Sequence, residues 1–514
     1  MKENRPILIG VDAGSSVLKV AAFRTDGKLI QLSKREVKID FSKTPIIEFN
    51  IEDYWDAFID CMEELIAKNP YFKNNIASIT VTSQGSTFVM LDSQLEIIRK
   101  AIFWMDSRAQ EEVILLKNSF SKLDIYKHSG QVHINSNYVL GKLMWIAKNE
   151  KQNLSKTSKI LFLQDYLIYK LTGEFITDYS IACISSLLDI NKKEWWQDIL
   201  DFIGINRNML PELCEPGSIV GKMKKDLSAF LNLKCSPIIC TGGLDQATSA
   251  IGAGNIKPGI VSENTGTVIA VSTVLDSPIW DPNFNIPIFC HSIPGKYYIL
   301  TWSPNGGNVL KWFRDSILKK WFQFKMEKLN IKLSVEDLDF DNMDYISKMA
   351  PPGAEGLLML PHIGGSGFPE FNPNACGIFF GIKLNHSLQH FLKAIMESIG
   401  YILRRNIECM EKLDIDINEI RSLGGGSKSL EWLTIKSDIT QKPILILKTR
   451  DEAAALGCCL LSSVAIKYYP SYEEAVKNML VNENIINPNS NYKDLYDQIY
   501  NKYLKIYENV SIFF

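Results

Sequence analysis

Asp12, Gly14, Ser15, Ser16 and Lys19 lie together in the stretch ILIGVDAGSSVLKVAAF, residues 7–23. A carboxylate at a strand end can face a metal. Small residues in a tight turn leave backbone N–H groups open to an anion, and a lysine adds a point charge. That set suits a phosphate with its Mg2+. The same residues also fit an ordinary hairpin with a solvated aspartate, since turns favour Asp, Gly and Ser. A second carboxylate, Asp245, follows Gly242-Gly243-Leu244 after the apolar run 237–241. Ligands of open α/β sheets bind at such strand ends. Trp104, Asp106 and Arg108 offer a flat apolar face with polar groups for sugar hydroxyls, or a packed tryptophan beside a structural Asp–Arg pair. Gly424, Gly425 and Gly426, with Ser429, stand between a strand and a helix, where backbone N–H groups and a helix start face an anion or nucleotide.

The elements that must carry these residues can be read from periodicity. Residues 7–11 and 17–23 read as two strands of a hairpin, with Asp12 ending the first and 13–16 as the turn. Residues 50–67 have helical spacing, with Tyr54, Phe58, Met62, Leu65 and Ile66 on one side. Strand, polar turn and strand follow over 77–92, with Gln84-Gly85-Ser86-Thr87 at the break. The stretch 101–108 ends a strand and a helix begins at Glu111. Further helices are expected over 137–149 and 161–173, the second stopped by Gly173. A small-residue helix is expected over 247–253. Residues 259–274 repeat the opening layout, with Asn264-Thr265-Gly266-Thr267 as the turn. Two such hairpins suggest two related halves, with a boundary near Gly252–Gly259. Residues 303–308, including Asn305, precede a helical 309–313. The longest helix is expected over 388–413, and others over 432–439 and 452–466.

Composition narrows the class. With 46% hydrophobic and 22% charged residues, the 514-residue chain is ordinary for a globular protein of two or more domains. Net charge is −2, so no basic surplus points to nucleic acid. No long apolar run suggests a membrane span, and the first residues lack the apolar core of an export signal. The ten cysteines form no C-x-x-C pair, which suits a reducing cytoplasm. His386 and His390 have helix-face spacing but lack the glutamate of a zinc-protease motif, and a helix start near Asn385 accounts for them. Residues 217–222 are one residue short of a P-loop, and Met223 follows Lys222 where a P-loop has Ser or Thr.

The motifs GVDAGSSVLKVAAF, AIFWMDSRA, TGGLDQATSAIGAGNIKPG, SENTGTV, LPHIGGSGFPEFNPNACGIFFG, LGGGSKSLEWLTIKSDITQKPI and DEAAALG, taken together and in this order, resemble the FGGY carbohydrate kinases. The resemblance covers essentially the whole chain. It implies an α/β fold of two ribonuclease-H-like domains, as in the actin/hexokinase/Hsp70 superfamily, around a catalytic cleft. Residues 1–253 would form the sugar-binding domain, and 254–514 the nucleotide-binding domain with a helical tail. It implies ATP-dependent phosphorylation of a small sugar or polyol with Mg2+, in the cytoplasm, and is compatible with a homodimer.

By the same resemblance Asp12 falls on the metal aspartate, and Gly14, Ser15, Ser16 and Lys19 on the phosphate turn. Gly266 and Thr267 fall on a second phosphate turn. Asn305, Gly424, Gly425, Gly426 and Ser429 fall on the nucleotide side. Asp245 takes the place of the catalytic base, ionised at neutral pH if its pKa stays near 3.9. Gln84, Trp104 and Asn137 fall where family members touch sugar. The family's xylulokinases and many gluconokinases usually carry Met-His at the Gln84-Gly85 position, and its glycerol kinases Arg-Glu. This chain has neither. That disfavours glycerol and leaves a ketopentose first, ahead of another polyol, a deoxysugar ketose or a sugar acid. A weakly catalytic sugar sensor or an actin-like ATPase would share the fold.

Overall fold

A computed structural model describes residues 6–283, 285–320 and 339–514. The chain divides into two units. The first comprises Met1–Ile256, Val274–Ile299 and Glu452–Val481, and the second Lys257–Thr273, Leu300–Asp451 and Asn482–Phe514. Two segments that come late in the chain, 274–299 and 452–481, thus pack with the first unit.

The first unit is built on strands β1 (Ile7–Ala13), β2 (Val17–Arg24), β3 (Leu29–Glu36), β4 (Ile76–Ser83), β5 (Ile219–Lys222) and β6 (Ile238–Leu244). Their order in the sheet is β5-β6-β4-β1-β2-β3. β1, β2 and β3 form an antiparallel meander, whereas β1, β4 and β6 run parallel. Both faces of β1 are covered. Ile7, Ile9 and Val11 join a cluster with Tyr54, Phe58, Met62 and Leu65 of the helix Glu52–Lys68. Leu8, on the opposite face, packs with Ala455, Leu456 and Cys459 of the helix Ala453–Ala465. A strand buried on both sides loses polar/apolar alternation, and Ile7 to Val11 accordingly read as one apolar run.

Glycine lets that late helix in. A Cβ at Gly10 would stand 2.1 Å from the Ala455 carbonyl oxygen, and one at Gly457 1.9 Å from that of Thr248. These contacts bring the helix onto β1 and the helix Asp245–Gly252. They explain why a segment so distant in sequence belongs to the first unit.

The second unit repeats the plan with strands β7 (Ile260–Thr265), β8 (Ile269–Leu275), β9 (Tyr297–Ser303), β10 (Glu419–Leu423), β11 (Ile444–Leu447) and β12 (Asn482–Ile486). They lie in the order β9-β8-β7-β10-β11-β12. β7 and β8 are antiparallel, while β7, β10 and β11 are parallel. Helix Leu388–Glu411 buries the predicted apolar positions Leu392, Ile395, Ile399, Leu403 and Ile407.

Several helix ends move from their predicted places. Residues 161 and 162 belong to a strand, Lys159–Phe162, and the helix is Leu163–Thr172 with Gly173 in the left-handed region at φ 92°. Val139, rather than Asn137, begins the helix Val139–Asn149. The helix at His390 starts from Ser387, whose backbone N–H bonds His390 Nδ1 at 3.1 Å. Among the described residues no group of three or more His, Cys, Asp or Glu could hold a metal ion, and no helix is long and apolar enough to cross a membrane.

Candidate functional site

In the first unit the key residues gather at the C-terminal ends of parallel strands. Asp12 of β1 is in register with Thr82 of β4, and so is Gly243 of β6. Asp245, two residues beyond Gly243, opens the helix Asp245–Gly252. The strand end carrying it is clamped from several sides. Gly243 N–H donates to Gln164 Oε1 at 2.7 Å, Leu244 N–H donates to Ser180 Oγ at 3.0 Å, and Thr82 Oγ1 donates to the Gly243 carbonyl at 2.6 Å. Gly243 is required there: φ is 114°, and a Cβ would stand 2.2 Å from Ser292 Oγ.

One of the two carboxylates feels the other's charge. Burial raises the Asp12 pKa, opposed by Lys19, its cross-strand partner in the hairpin. Burial first and the Asp12 charge second push Asp245 up to about 7, with the Gln246 N–H opposing. The ordinary aspartate value expected from sequence is therefore corrected. Two acids sharing one water-poor spot do not both ionise freely. Tyr54 lies in the same field: burial, then Asp12 and Asp245, hold its phenol above the usual range, so it stays a proton donor.

A chain of hydrogen bonds runs from Tyr54 to the predicted sugar residues. Tyr54 OH donates to the Gly14 carbonyl at 2.8 Å and accepts from Gln84 Nε2 at 3.1 Å. Ser15 Oγ donates to Gln84 Oε1 at 3.2 Å and accepts from the Trp104 indole N–H at 2.9 Å. Gln84, Trp104, Ser15 and Gly14 are thus brought together. Asn137 lies in a turn, its backbone N–H bonded to Asn135 Oδ1 at 2.9 Å. Ser16 is exposed, and its carbonyl accepts the Val37 N–H at 2.8 Å.

Asp106 and Arg108 resolve as the structural pair. Asp106 is fully buried and accepts from the Ile47 N–H at 2.6 Å and from Arg108 Nε at 2.9 Å and Nη2 at 2.6 Å. The guanidinium also stacks over Trp145 at 4.8 Å. Of that trio only Trp104 reaches the site.

In the second unit the turns after β7 and β10 lie side by side, because Asn264 is in register with Leu423. They edge a cavity of about 410 Å3 lined by Thr265, Gly266, Thr267, Gly307, Asn308, Gly425, Gly426 and Ser429, and further by Leu310, Lys311, Phe340, Asp341, Asp344, Lys428 and Trp432. One part is glycine and backbone; the other is aromatic and apolar, with two aspartates. Gly424 holds φ 74°, and a Cβ there would stand 2.4 Å from Asn264 Oδ1. Around Gly266 and Gly425 a Cβ would meet nothing within 4 Å. Ser429 caps the helix Leu430–Thr440, its Oγ accepting the Trp432 N–H at 3.0 Å.

Beneath that cavity lies a wholly buried ion pair. Lys436 Nζ bonds Glu263 Oε1 at 2.6 Å and Thr265 Oγ1 at 2.9 Å, and sits 4.6 Å from the centre of the Trp432 ring. Asn305 does not line the cavity. Its Nδ2 donates to the Gly365 carbonyl at 2.6 Å and its Oδ1 accepts the Gly364 N–H at 3.1 Å, so the amide fixes a neighbouring turn.

Sequence reasoning passed over Tyr54, Thr87 and Lys142. Tyr54 was hidden in the apolar stripe of its helix. Thr87 Oγ1 takes the Trp104 backbone N–H at 3.0 Å. Lys142 had a visible signal: a lysine among Val139, Leu140, Leu143 and Ile146, all buried, on a helix.

With this geometry in view, comparison with known proteins is direct. The pattern described as "FGGY family of carbohydrate kinases, N-terminal domain" matches residues 7–252, and that of the C-terminal domain matches 265–466. A xylulose kinase of Lactococcus lactis subsp. lactis (strain IL1403) is 28% identical over 510 residues, covering 98% of this chain and 97% of its own. A gluconokinase of Bacillus subtilis (strain 168) is 25% identical over 478 residues, covering 92% and 90%. The crystal structure of a ligand-bound xylulose kinase from Lactobacillus acidophilus superimposes with a TM-score of 0.88 at 23% identity, covering 98% of each chain. That likeness supports the fold.

Proposed function

The chain belongs to the FGGY family of carbohydrate kinases, an ATP-dependent family, and from that premise we propose that it phosphorylates a hydroxyl of a ketopentose, D-xylulose first, using ATP and Mg2+. The observation that carries this reading is the convergence of Asp12, Asp245, Tyr54, Gln84, Ser15 and Trp104 at one sheet edge. Ten cysteines without a disulfide fit a reducing cytoplasm.

The residues present fit the nucleotide and the metal. The cavity of the second unit joins glycine turns, suited to phosphate oxygens, to a wall of Trp432, Leu310 and Phe340 suited to a flat base. Asp12 offers one carboxylate, and Mg2+ is usually held by few carboxylates with waters and phosphates. A cation there would screen Asp12 and so favour the ionised form of Asp245. ATP supplies the phosphoryl group.

The remaining steps belong to the chain's own residues. Gln84 and Trp104 hold the sugar, orienting one hydroxyl toward Asp245. Asp245 accepts that proton as the oxygen attacks phosphorus, acting as general base. In the first unit Lys19, beside Asp12, would donate to phosphoryl oxygens, and in the second the Thr267 turn at the cavity would do the same.

A second reading, a sugar acid of the gluconate kind, is favoured by the gluconokinase relative. Sugar-dependent ADP release across pentuloses, hexuloses, polyols and aldonates tests both. A ketopentose should give the largest kcat/KM. An aldonate in first place would select the second reading, and no stimulation by any member would overturn both.

A further inference from the structure

Lys142 is fully buried, yet among the described residues no salt bridge reaches it. Its ammonium bonds three backbone carbonyls, Phe103 at 2.8 Å, Trp104 at 3.1 Å and Ser86 at 3.2 Å. An ammonium has three N–H groups and no acceptor, so the three carbonyls satisfy it completely. Burying an unpaired charge is expensive, and here apolar packing alone would fill the space on the helix Val139–Asn149 at lower cost.

The position of the three carbonyls says what the expense achieves. Ser86 belongs to the turn carrying Gln84, and Phe103 and Trp104 belong to a separate segment. Lys142 ties the two segments at one point. From there they converge again, 2.9 and 3.2 Å from Ser15 Oγ, through the Trp104 indole and the Gln84 amide. The lysine stands on the far side of the wall that these side chains present.

We propose that Lys142 is a positioning residue for the sugar, fixing Gln84 and Trp104 relative to one another and to Ser15 without touching substrate. The proposal rests on the sugar-kinase reading of this site. The three-donor state requires the protonated amine. Burial pushes the Lys142 pKa down to about 7, with Asp106 opposing and Arg108 adding to the shift. Glu112, on the helix Gln110–Ser119 that packs against this one, is paired with Lys148 at 3.5 Å. The wall is therefore held at lower pH and loosens as the amine loses its proton, leaving a lone pair against a carbonyl.

Lys142→Met keeps length and removes all three donors. In steady-state assays with the wild type's best ketopentose, the sugar KM should rise about 10- to 100-fold, as for a misplaced contact set, while the KM for MgATP stays within about twofold. A folded variant with wild-type sugar KM would overturn the proposal. Should the variant fail to fold, calorimetric binding of the same ketopentose to the wild type, without nucleotide, decides it. Measured in the wild type and in Asp245→Asn, which removes the other group titrating near 7, affinity should fall between about pH 6 and about pH 9 in both as the amine deprotonates, and a flat profile in Asp245→Asn would overturn it. A wild type that no sugar stimulates would instead sink the kinase reading itself.

Discussion

The two units share a parallel trio of strands, β1, β4 and β6 in the first and β7, β10 and β11 in the second, but equip it differently. At the sheet edge of the first, the groups are acidic and phenolic side chains: Asp12, Asp245 and Tyr54, each with a pKa raised by burial. At the equivalent edge of the second, the groups are mainly glycine backbone beside an aromatic wall, and the buried charges Glu263 and Lys436 neutralise each other below. Moving a proton needs a side chain whose affinity for it is tuned. Holding a polyphosphate needs N–H donors and room, which backbone supplies without titrating. One scaffold serves both because function sits in the strand-end turns rather than in the sheet.

The most direct way to break this contrast is Asp245→Asn. The amide cannot take a proton, so kcat should fall about 10^2- to 10^4-fold, with ketose binding by calorimetry kept near wild type. Near-normal turnover would move the base elsewhere and erase the distinction between the units.

Lys436→Met tests the other side. It strands Glu263, fully buried, with no countercharge, at a cost of about 3–5 kcal/mol. Thermal or urea unfolding should show that loss, together with weaker nucleotide binding, since Lys436 touches both Thr265 and the Trp432 ring. Replacing Glu263 with Gln at the same time should recover part of the stability.

The smallest effects distinguish neighbouring glycines. Gly424→Ala forces a side chain into positive φ and against Asn264, costing about 1–3 kcal/mol. Gly425→Ala meets open space, so stability should change by less than about 0.5 kcal/mol. Its methyl points into room that the nucleotide is expected to use, so nucleotide affinity should still drop. Equal stability losses at both positions would contradict the backbone description of this turn.

Legibility from sequence followed the same division. The glycine turns were visible because glycine, serine and threonine between strand and helix carry a local conformational signal. Asp12 and Asp245 were visible as polar residues ending apolar runs. The Trp104-Asp106-Arg108 trio stayed ambiguous, since a sugar site and a structural ion pair use the same residue types. Burial of Asp106 against the Ile47 N–H resolved it. Asn305 looked like a ligand residue because asparagine beside glycines is common to binding turns and to turns that need fastening.

The sequence by itself determined the doubled α/β plan, the family and the principal carboxylates, because periodicity and turn chemistry act over a few residues. Tertiary structure decided three things that depend on distant partners. It drew the segments 274–299 and 452–481 into the first unit, through glycine contacts that exist only between folded elements. It set the Asp245 pKa near 7, since burial and the Asp12 field arise only when β1 and β6 stand on either side of β4. And it turned Lys142, one lysine on an amphipathic helix, into the fastening of the sugar wall, because three carbonyls from two separate loops meet at its ammonium.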